Sequence, residues 1–64
     1  MQHLSKTDLL TARDHLRVAD LALAKCRGIF IRSGAAMDAA TVDAVIGKLA
    51  HLRDRINKAL MAKP

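Results

Sequence analysis

The sequence predicts an all-α fold: an antiparallel hairpin of two long helices that dimerises into a four-helix bundle. Three observations carry this expectation. Leu9, Leu16, Leu23 and Phe30 recur every seven residues, with Ala12, Ala19, Cys26 and Ser33 three positions further on. Val42, Leu49 and Ile56 repeat at the same interval in the second half, followed at three by Val45, Leu52 and Ala59 and flanked by Ile46 and Leu60. Apolar stripes with this period are the seams along which paired helices pack. Folding the chain near residue 36 sets Phe30 level with Val42, Leu23 with Leu49 and Leu16 with Ile56, the registration that an antiparallel pair requires.

The elements follow in order. Met1 to Leu4 form a short lead-in, and Ser5 has the side chain of an N-cap, with Asp8 in place of the usual capping-box glutamate. Leu4 and Leu9 stand on either side of that cap at hydrophobic-staple spacing. The first helix is expected over residues 6–33, ended by Gly34, a residue that tolerates the left-handed backbone of a helix C′ position. A loop over 34–37 follows. Asp38 then reads as the second N-cap, with Met37 and Val42 as a second staple, and the second helix runs over 39–62. At 1.5 Å per residue the two helices are each roughly 35–42 Å long. Matched lengths joined by a short loop belong to one hairpin domain spanning residues 1–64.

Size makes that domain thin. A chain of 64 residues buries only about 60% of the surface its unfolded form exposes, against an ordering cost of about 1.5 kcal/mol per residue. One cysteine rules out an intrachain disulfide, so oligomerisation is the expected source of added stability. Cys26 lies on the seam and is expected to be a small buried apolar residue. A single unpaired cysteine also suits a reducing, cytoplasmic compartment. The N-terminus has no apolar h-region of a signal peptide, and no run of 18 or so uncharged apolar residues is present to span a membrane.

Apolar residues exceed what two facing stripes can bury. Between Val18 and Ile31 only Asp20, Lys25 and Arg27 interrupt the apolar run, so the first helix is expected to be covered on more than one side. Leu21, Ala24, Gly28 and Ile31 line up as a second seam, and Ala40, Ala44, Gly47 and Ala50 offer small residues on the second helix. Gly28 and Gly47 each cost about 1 kcal/mol relative to alanine inside a helix, which close packing against a neighbour would justify. Leu21, Ala24, Gly28, Ile31 and Gly47 are therefore the candidate interface, for a second copy of the chain or for another protein.

Charge points to a second possibility. Eleven Lys and Arg against six acids give a net +5, a balance that favours anionic partners. Lys48, His51, Arg55 and Lys58 form a row opposite the apolar stripe of the second helix, and Arg13 and Arg17 lie on the first. Lys48, Arg55 and Lys58, assisted by Arg13 and Arg17, are the candidate nucleic-acid or anion contacts, suited to phosphates rather than to reading bases. The lone aromatic, Phe30, sits on the seam and leaves no surface ring for base stacking.

Catalytic signatures are missing. The chain has no glycine-rich phosphate loop, no nucleophile elbow and no carboxylate pair on one face. Asp14 and His15 are neighbours whose side chains diverge by about 100°. His3, His15 and His51 do not converge, whereas a metal site needs three or four ligands. A two-helix layer is also too thin for an interior pocket of the usual 300 Å³ or so. No enzyme activity, cofactor or metal is expected. The function expected is that of a non-enzymatic, homo-oligomeric regulator or adaptor acting through protein–protein contact; the alternative is a basic regulator that binds RNA or DNA.

Overall fold

The computed structural model describes residues 3–62, so Met1 and Gln2 of the lead-in lie outside the described residues. Helix α1 spans Lys6–Arg32 and helix α2 spans Ala36–Ala62. They pack against each other along their lengths as a hairpin, a rod with extents of 48 × 15 × 14 Å.

Local chemistry explains both ends of α1. Ser5 adopts an extended backbone (φ −71°, ψ 160°), and its Oγ accepts a hydrogen bond of 3.0 Å from the Asp8 N–H. One of the orphan donors of the first turn is thereby satisfied. At the other end the Ala35 N–H donates to the Phe30 carbonyl at 2.8 Å, and the Gly34 N–H to the Ile31 carbonyl at 3.2 Å. This pair of bonds is a Schellman closure with Gly34 at C′, where φ is +75°. A Cβ there would meet no atom within 4 Å, so only the backbone demands glycine. Gly34→Ala is expected to destabilise the hairpin by about 1–2 kcal/mol, the cost of a left-handed L-residue. A shift of the urea midpoint measures it; an unchanged midpoint would contradict the role given to this turn.

The start of α2 corrects the expectation. The helix begins at Ala36 rather than residue 39, and the connection shrinks to Ser33, Gly34 and Ala35. The Ala39 N–H donates to the Ala35 carbonyl at 3.0 Å, so Ala35 occupies the N-cap position without a side-chain acceptor. Asp38 consequently lies in the first turn instead of capping it, where its carboxylate meets the positive end of the helix dipole. Met37 does not staple: it is helical, exposed, and lends its carbonyl to the Thr41 hydroxyl at 3.1 Å. The Schellman closure accounts for the early start, because it turns the chain so tightly that Ala36 and Met37, both good helix formers, enter the helix at once.

Packing follows the first stripe closely and the second only partly. Leu9 is fully buried, Val42, Ile56 and Ala39 are buried, and Leu16, Leu23, Phe30 and Leu49 are half-buried. Cys26 is exposed, against the expectation of a buried seam residue, and so are Ser33 and Val45. Shelter falls instead on Ala39, Ile46 and Arg53 of α2 and on Asp20 of α1, the flank four residues beyond each main-stripe position. Ala12, Ala19, Leu52 and Ala59 of the second stripe are half-buried, so that stripe is open only toward the loop, at Cys26, Ser33 and Val45.

Candidate functional site

Two kinds of surface remain once the hairpin is closed: exposed apolar side chains between Val18 and Ile31 of α1, and a polar groove that adjoins them at Arg17. Val18, Leu21, Ile29 and Ile31 of α1 are 64%, 61%, 50% and 51% exposed. Of the expected interface residues, Leu21, Ala24, Ile31 and Gly47 are exposed and Gly28 is half-buried. Close packing within the hairpin does not explain either glycine. A Cβ at Gly47 would meet nothing within 4 Å, and one at Gly28 only the end of Arg32 at 3.9 Å.

The groove is built from both helices. Arg13 and Arg17 of α1 face Arg53, Asn57, Asp54 and Ala50 of α2 around an open volume of about 360 Å³. It lies on the surface of the rod, outside the core, and so is a groove between the helices and not a pocket inside the layer. Arg13 and Arg17 are one turn apart on one helix, and Arg53 and Asn57 one turn apart on the other, which places the four on a shared patch. Ala50 leaves one end of it low.

Ion pairs hold this geometry. Arg53 Nη1 donates to Asp20 Oδ2 across the helices, with the Asp20 side chain only 18% exposed. Nearer the loop, Arg27 Nε meets Asp43 Oδ1 at 2.6 Å, a second link between the helices. Asp54 on the groove rim pairs with Lys58 one turn on, at 3.1 Å. Among the described residues two buried polar atoms lack a hydrogen-bond partner, Asp20 Oδ1 and Arg13 Nε; the latter approaches Asp14 only at 3.9 Å. Arg17 has no ion-pair partner among the described residues.

The expected cationic set therefore divides. Lys48, Arg55 and Lys58 are exposed on α2, as is His51 beside them. Arg13 and Arg17 join a different residue, Arg53, which the charge row on α2 did not include. Arg53 and Arg55 are two positions apart and so point about 200° apart around the helix. A signal for Arg53 was nonetheless present: it follows Leu49 by four residues, as Asp20 follows Leu16, and opposite charges at such flanking positions pair between antiparallel helices.

Other chemistry finds no support in the arrangement. Among the described residues no group of His, Cys, Asp or Glu is placed to hold a metal ion, and no described helix is long and apolar enough to cross a membrane. No protein-family model matches this chain, and no curated protein or solved structure matches it either.

Proposed function

We propose that this protein is a non-enzymatic helical regulator or adaptor that works through protein–protein contact, first of all with a second copy of itself in a two-fold four-helix bundle. The observation that carries this reading is the exposed apolar side chains of α1, of which Val18, Leu21 and Ile29 share one side of the helix. Each such side chain recovers up to about 1.5–3 kcal/mol when fully taken out of water. The rod exposes 4813 Å², whereas a compact monomer of 7.0 kDa exposes about 4,000 Å². The elongated rod therefore has surface to spare for a partner. A two-fold axis would bring the same side chains from each copy together, with the open space over Gly47 admitting the partner's backbone. The polar groove, lined by Arg, Asn, Asp and Ala, offers no nucleophile beside a base, which supports a binding role over catalysis.

Sedimentation equilibrium tests this directly. The wild-type chain is expected at twice its 7.0 kDa mass, and Leu21→Asp or Ile31→Asp at the single-chain mass with the helical signal retained. Gly47→Ala is a second reporter: in the hairpin it relieves a helix penalty of about 1 kcal/mol, yet it should weaken association. A wild-type chain that sediments as a monomer at 100 μM or so would overturn the proposal, since standard-size interfaces commonly bind at micromolar levels or tighter. Nucleic-acid binding is the second reading, and one observation favours it: Arg13 and Arg17 share a groove with a third arginine.

A further inference from the structure

We infer that the groove walled by Arg13, Arg17, Arg53 and Asn57 is a binding site for the phosphodiester backbone of a nucleic acid, separate from the Lys48–Arg55–Lys58 ridge. The inference rests on the second reading alone and is independent of self-association.

Three arginines converge here from two different helices with Asp54 the one carboxylate of the lining, an excess of positive charge that favours an anion. The acids nearby are already engaged, Asp20 by Arg53 and Asp54 by Lys58. Arg17 is left without an ion-pair partner among the described residues, and Arg13 has only the long approach of its Nε to Asp14 at 3.9 Å, which leaves its terminal amines free for an anion. Arg53 is positioned by Asp20, which engages one of its Nη atoms. A guanidinium has five N–H donors in a planar fork, so the rest can grip phosphate in a bidentate manner. Asn57 adds a neutral amide donor, and the open, low side at Ala50 lets a chain pass through.

Nucleic acid fits this site better than a membrane does. Ala50 is the only apolar residue of the lining, so the groove itself offers a lipid interface little to bury while its guanidinium and amide donors suit a polyanion. No aromatic ring is available for stacking, so binding should ignore sequence.

Fluorescence anisotropy with a 20-nucleotide RNA and a duplex DNA of the same length, over a salt series, tests the assignment. Arg13→Ala/Arg17→Ala is expected to weaken binding about tenfold and to lower the salt slope by about two, one for each phosphate contact removed. Lys48→Ala/Arg55→Ala should change affinity less than twofold. Arg17→Lys, which keeps the charge and loses the fork, should fall in between. If the Lys48/Arg55 variant suffers the tenfold loss instead, the groove assignment fails while nucleic-acid binding stands. If the wild type binds neither oligonucleotide, both fail. Binding only to phosphatidylserine vesicles, with the same arginine dependence, would also overturn the assignment. Circular dichroism of each variant confirms that the helices persist, and both arginine variants retain the Asp20–Arg53 pair.

Discussion

Leu9→Ala is expected to lower the stability of the hairpin by about 2–5 kcal/mol, the cost of a buried leucine truncated with its cavity left behind. No other large side chain in the described structure is completely sealed from water. Its position, four residues into α1, looks unpromising because helix ends fray. It is sheltered by circumstance: the Ser5 cap closes the first turn, Leu4 is half-buried at staple spacing, and Ile56 is buried on α2 in the same half of the rod. Small domains have few kcal/mol to lose, so the loss should show as a large fall in the thermal or urea midpoint. Met61→Ala is the control. That residue is 86% exposed, and its loss should stay within about 0.5 kcal/mol. Equal midpoints for the two variants would dismiss Leu9 as the anchor of the loop-distal half.

The second large effect concerns Asp20 and Arg53. Arg53→Ala strands a carboxylate that is largely shielded from water and already has one oxygen unpaired. Breaking a fully buried pair this way costs about 3–5 kcal/mol; because Arg53 is 37% exposed, screening reduces the expectation to about 1–3 kcal/mol. Asp20→Ala should cost less, since a longer, better-exposed guanidinium can swing into solvent once released. The double variant should be no less stable than Arg53→Ala. A double-mutant cycle reads the coupling directly. Strictly additive single effects would mean that this link contributes nothing to the hairpin.

Periodicity made the hairpin legible because an apolar seam leaves a repeating trace whatever the surrounding residues are. The cap at Ser5 and the left-handed Gly34 were legible for a similar reason, each being a local demand of one backbone turn. Asp38 misled because a good capping side chain states only a preference. The Schellman bonds from Gly34 and Ala35 were formed a few residues earlier and left no stretch for it to cap. Cys26 misled differently. A seam position implies burial only where the partner helix covers it, and toward the loop Cys26 and Val45 of the second stripe are both left exposed.

The candidate site divides along the same line. Exposed leucine and isoleucine near the loop could be inferred by counting apolar residues against one buried stripe per helix. The arginine groove could not be drawn from either helix alone, because Arg13 and Arg17 become neighbours of Arg53 only after the chain has reversed.

By itself the sequence determined that two long helices form, roughly where they start and stop, and that they fold back in one register. These are properties of short spans and of a repeating period, which local energetics decide. Only the tertiary structure decided where the seam closes and which cations share a groove. How two helices meet is a collective outcome of all their facing side chains, among them the Asp20–Arg53 and Arg27–Asp43 links, and no single stretch of residues encodes it.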